Sequence, residues 1–262
     1  MTRKAGWLGV ALACVGLGGC VTWDDVTSRD FTIKSMFVHP DPMYVLNNSH
    51  DGDKRAKALR SLREPLANGG TQKDQDAIVT VLVYAATNDQ QALCRIAAIS
   101  SLREFKDPRA AEGLKEAYYR ASSFPPDSAN VIRLEAISGL GHTGNPTGID
   151  LLVKVLHEPP VEGPETDKQQ KMDERIAAAR ALGNFKNIEA AKELIAAMKS
   201  DQEALHVPAH EALIAATGRH LPDDPKVWED LLQTAPKDGN TLTIEPTFMD
   251  HVLDVLPVSF WR

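Results

Sequence analysis

Two histidines one helical turn apart, His206 and His210, with His220 beyond them, are the side chains best spaced to share a metal ion. An i, i+4 pair places both imidazoles on one face of a helix. Pro208 lies between them and lacks the N–H that a helix interior uses, so an irregular first turn is expected at His206. The sequence has no His-Glu-x-x-His run, no Gly-x-Ser-x-Gly elbow and no paired zinc cysteines. Solvent-facing or capping histidines are therefore the expectation, with no metal, no cofactor and no catalytic residue. A metal-dependent enzyme using the His206–His220 region is the alternative.

Cysteine chemistry points elsewhere. Cys94 stands alone once a leader is removed, so no internal disulfide is expected, and beside Arg95 in an alanine-rich stretch it reads as a small buried hydrophobe. Cys20 follows a short positive start (Arg3, Lys4), an apolar stretch and Leu17-Gly18-Gly19. That order is the pattern of a secretory signal. The stretch from Ala5 to Gly19 falls short of the roughly 20 residues that span a bilayer. Leu17-Gly18-Gly19-Cys20 resembles the lipobox of bacterial lipoproteins. The resemblance implies a leader at 1–19, a diacylglycerol on the Cys20 sulfur and a further acyl chain such as palmitate on the new N-terminus. Two or three chains hold durably where one is marginal. Val21 stands where some lipoproteins retained at the inner membrane carry Asp, which favours onward export to an outer membrane.

Cleavage would leave 27 basic against 36 acidic residues, a net charge near −9. Such a chain lacks the footprint of a nucleic-acid binder and is repelled by anionic lipid. Membrane association is thus expected only through lipid on Cys20, facing the periplasm or the cell surface.

The elements come from a repeat. Arg55–Leu62 recurs as Arg95–Leu102, Arg133–Leu140 and Arg175–Leu182, each with Ala three residues after the Arg, an apolar residue or Ala four after and Leu seven after. Those offsets share one helical face. A weaker fifth copy runs through Ala209, Ala212, Leu213 and Ala216. Second helices are expected over Ala110–Ala117, Ile149–Leu156 and Ala190–Met198, after Asp/Asn-Pro or Asn turns. The period of about 40 residues is that of two-helix solenoid units. These copies resemble HEAT repeats, especially the short alanine-rich type also found in phycobilisome lyases. The resemblance implies an all-α fold, a right-handed α-α superhelix of about four to five helix pairs over residues 41–233. It also implies a hydrogen-bonded ladder between an Asp six residues before the Arg and the neighbouring unit. Asp89 with Arg95 and Asp127 with Arg133 keep that spacing; Ser49 before Arg55 and Gln169 before Arg175 do not. Arg55, Arg95, Arg133 and Arg175 are accordingly read as structural. The dipeptides His157-Glu158 and His210-Glu211 resemble the iron-binding pairs of HEAT-like deoxyhypusine hydroxylase, yet they occupy non-equivalent repeat positions.

Residues 20–40 are expected to form a lipidated tether, with Trp228 plugging the far end of the stack. The tail 234–262, apolar at Phe248, Val252, Leu253, Val255 and Leu256, is expected to dock. Two proline-rich connections, Ser122–Asn130 and His157–Gln170, fall at one place in the repeat and should collect on one edge. The expected function is a non-catalytic scaffold or assembly factor of the cell envelope. It would meet an unknown protein partner through a concave face or the 157–170 edge. A lyase-type enzyme and a purely structural envelope protein are the other readings.

Overall fold

A computed structural model describes residues 41–235 together with 237, 238, 241, 242 and 244. Cys20, the leader, the tether and the tail side chains from Phe248 onward lie outside the described residues. Within them no helix is long and apolar enough to cross a membrane.

The fold is an all-α solenoid. After α1 (Pro42–Asn48) come five antiparallel pairs: α2 (Gly52–Ser61) with α3 (Gln72–Asn88), α4 (Ala92–Leu102) with α5 (Pro108–Arg120), α6 (Pro126–Thr143) with α7 (Ile149–Leu156), α8 (Glu165–Leu182) with α9 (Ile188–Met198), and α10 (Glu203–Thr217) with α11 (Pro225–Thr234). The first helices stack in the order α2, α4, α6, α8, α10 and form one layer, the A layer. Second helices form the B layer, where α3 meets α5 and α9 meets both α7 and α11.

The repeat explains the layering. The residues three, four and seven after each register position are Ala58, Leu59, Leu62; Ala98, Ile99, Leu102; Ala136, Ile137, Leu140; Ala178, Ala179, Leu182; and Ala212, Leu213, Ala216, and all are buried. Small side chains let the A helices approach closely. A Cβ added at Gly141 would lie 2.8 Å from the Ala181 Cα, and one at Gly183 would lie 2.9 Å from the Ala212 Cα. Helix starts are written locally: Asp51, Asp107, Asn187 and Asp224 accept from first-turn amides, Thr71 and Asp74 form a capping box, and Pro opens α1, α5, α6 and α11. Gly144 and Gly218 end α6 and α10 at φ 64° and 67°.

Three local expectations change. The segment 157–170 is not one loop, because α8 begins at Glu165 directly after Pro164. Glu165 and Asp167 complement the positive end of the helix, and the Lys/Gln-rich run that follows has high helix propensity. Likewise α6 starts at Pro126, inside the expected connection. Pro208 sits within a continuous α10, whose contacts with α8 and α9 outweigh the roughly 3 kcal/mol that an interior proline costs.

Beyond α11, Lys237–Asp238 pairs with Thr241–Leu242 as a two-residue hairpin. The Leu242 amide donates to the Lys186 carbonyl at 3.0 Å and its side chain is buried. This part of the chain therefore seats on the α8–α9 turn.

Candidate functional site

The repeated arginines line a seam where B helices end and A helices begin. On α4, Arg95 donates through Nε to the Asp89 carbonyl (2.8 Å) and through a terminal nitrogen to the Arg120 carbonyl (3.0 Å). Asp89 is the C-cap of α3 and Arg120 the last residue of α5. One guanidinium thus serves two helix ends whose carbonyls have no donor within the helix. The Phe124 ring lies 4.6 Å from it. Arg175 repeats the device, donating to the Leu156 carbonyl at the end of α7 (2.9 Å) and to Gln202 (3.3 Å). Burial lowers the pKa of both guanidiniums from the ordinary arginine value.

Asp89 works across a repeat boundary. Its carboxylate takes two hydrogen bonds from Arg55 on the A helix of the first pair, at 2.5 and 3.4 Å, and also caps the amide of Gln91, which opens the next pair. Asp127 does not do this. It is exposed in the first turn of α6, and among the described residues no hydrogen bond or ion pair joins it to Arg133. The cause is the early start of α6: Asp89 precedes its helix as a cap of α3, whereas Asp127 lies on its helix and faces solvent. Arg133 turns instead to Ser122 (2.7 Å) and Glu174 (3.4 Å).

Glu174 was missed by the sequence reading. It is 1% exposed and accepts from the Tyr118 hydroxyl (3.1 Å), Lys171 (3.0 Å) and Arg133; Lys171 also holds Glu158 at 2.7 Å. Burial, then the Glu174 charge, pushes the Tyr118 hydroxyl well above the ordinary tyrosine range. A signal existed in the repeat. The residue just before the register position is Cys94, Ile132 and Pro208 in three other copies, all buried, so a glutamate in that slot had to bring partners.

The histidines meet on a carboxylate. His206 Nδ1 is 3.3 Å and His210 Nδ1 3.8 Å from Asp223, while His210 Nε2 donates to the Leu221 carbonyl at 3.0 Å. The His210 ring stands edge-on to Trp228, which is fully buried and donates its indole N–H to the Pro222 carbonyl. These contacts clamp the connection between α10 and α11. Among the described residues no group of three or more His, Cys, Asp or Glu is arranged to hold a metal ion. His157 pairs with Glu193 at 2.6 Å, so the two His-Glu dipeptides enter separate contacts. Cys94 is buried and its thiol points at the Gly52 carbonyl and the Gln91 amide oxygen; burial raises its pKa. A cleft of about 590 Å³ opens between α3 and α5, floored by Val79, Val83 and Gly113.

Stacked helix pairs with an arginine seam define a solenoid of HEAT-like repeats. The chain matches the family described as PBS lyase HEAT-like repeat over residues 95–119 and 174–200. Each match begins at or beside a seam arginine and closes near the end of the following B helix. No curated protein matches the chain.

Proposed function

We propose that this protein is a lipid-anchored, non-catalytic scaffold or assembly factor of the bacterial cell envelope. The observation that supports it is the continuous core running through all five helix pairs. Stability comes mainly from packing between neighbouring repeats, which leaves long helix faces and the seam edge for a partner. The anchor rests on the Leu17–Cys20 pattern and on an acidic chain with no electrostatic hold on lipid. A lyase-type enzyme is the second reading, favoured by the family description of the matched repeats.

Crosslinking in cells followed by mass spectrometry tests the scaffold: one dominant protein partner supports it, and none leaves the purely structural reading. Stoichiometric iron or zinc in the purified protein would overturn the non-catalytic role. Replacing Cys20 by Ser should release the chain into the soluble envelope fraction; retention in the membrane pellet would defeat the anchor.

A further inference from the structure

Leu93, Val131 and Val207 are exposed aliphatic side chains, at 39%, 45% and 57%. Each stands two residues before the register position of its A helix, set by Arg95, Arg133 and Ala209. Because α4, α6, α8 and α10 stack in that order, the shared register places the three in one row. Ile96 and Ile176, half-buried three residues further on in register, widen the row on the same helical face. Single exposed aliphatics are ordinary, but an aligned row is a surface.

The acids around the row repeat as well. Val131 is flanked four residues either way by Asp127 and Glu135, and Val207 by Glu203 and Glu211. Side chains four apart share a face, so α6 and α10 each carry an acid–aliphatic–acid column. In α8 the row position itself is Asp173. None of these five carboxylates has an ion-pair partner among the described residues.

We infer that this strip of the A layer docks a basic amphipathic helix of a partner protein. The inference rests on the scaffold reading and names the chemistry of its partner. Charge selects the occupant. The chain's own residues 245–262 carry Glu245, Asp250 and Asp254 against Arg262, a second copy brings a net charge of −7, and anionic lipid is negative too. A helix with an aliphatic stripe bordered by Lys or Arg satisfies both the row and its acids. Four A helices at about 8–10 Å spacing give a track of about 25–30 Å, the length of a helix of roughly 20 residues.

The test uses the full mature chain and a fluorescent 20-residue Leu/Lys amphipathic peptide, read by anisotropy at physiological salt, with a Leu/Glu peptide as control. The Leu/Lys peptide should bind and the Leu/Glu peptide should not. Val131→Ser with Val207→Ser should weaken binding tenfold or more. So should the fourfold Asp127→Asn, Glu135→Gln, Glu203→Gln, Glu211→Gln variant, while Tyr84→Ala on the B layer should leave it unchanged. Thermal melts of each variant should match the parent, because every altered side chain is partly or fully exposed. Undiminished binding by the double serine variant would overturn the proposal, as would equal binding of both peptides. A photo-crosslinker at Tyr84 that captures the cellular partner, when one at Val131 does not, would also overturn it while leaving the scaffold standing. Capture from no position would defeat the scaffold itself.

Discussion

Glu174 puts a carboxylate into a slot that is apolar in neighbouring repeats, and its partners make that tolerable. Glu174→Ala should take the acceptor from the buried Tyr118 hydroxyl and one of the two acceptors from each of Arg133 and Lys171, which keep Ser122 and Glu158. Breaking a buried ion pair costs about 3 kcal/mol or more, and here the partly exposed cations and their remaining acceptors set the expected loss at about 2–3 kcal/mol. Urea unfolding with an unchanged slope would measure it. Tyr118 adds an alkaline signature. Its folded pKa is raised above the unfolded value near 10, so the stability it contributes is present below pH 10 and lost as pH rises beyond it. Tyr118→Phe should flatten that alkaline limb. Asp107 acts at the other extreme. Its hydrogen bonds, first from the Arg109 side chain, hold it at about 2, below the ordinary carboxylate value, so its contribution is present above pH 4 and lost as pH falls towards 2. Stability titrations of Asp107→Asn should show a shallower loss across that window; an unchanged profile would remove Asp107 from the acid response.

Between helices, the contact that matters is nearly backbone to backbone. Gly141→Ala would drive a methyl against Ala181, and Gly183→Ala would meet the Ala212 backbone. Neither neighbour is the far end of a flexible side chain, so each substitution should cost about 1–3 kcal/mol as overpacking, visible as a lowered calorimetric midpoint. Helix existence was legible because the Arg, Ala and Leu spacing declares one buried face per repeat. Helix starts were less so. Pro126 and Pro164 looked like loop residues, whereas proline is as much at home where a helix begins, and only the contacts of α6 and α8 with their neighbours decide which. The seam was half legible. The spacing pairs Asp89 with Arg95, which meets its carbonyl, and the resemblance implies a ladder bond from such an Asp, but which residue its carboxylate takes, Arg55, 34 residues away in sequence, no local pattern reports.

For the molecule as a whole, the helix contacts among the described residues run mainly between neighbouring units, with Tyr118 to Glu174 and Leu242 to Lys186 as reaches across one unit, so unfolding should proceed from an end. Trp228 closes the far end with its ring buried and its N–H satisfied. Trp228→Ala should cost about 3–5 kcal/mol and, by hydrogen exchange, expose α10 and α11 before α4 to α6. Uniform loss of protection would show a single cooperative block instead. The A helices also differ in how far they extend past the seam. Relative to the register arginine, α2 and α4 begin three residues earlier, α6 seven and α8 ten. At 1.5 Å per residue, α8 therefore juts about 10 Å beyond α4. The edge is a staircase with α8 as its top step, and anything sliding along it from the α4 side meets a mechanical stop.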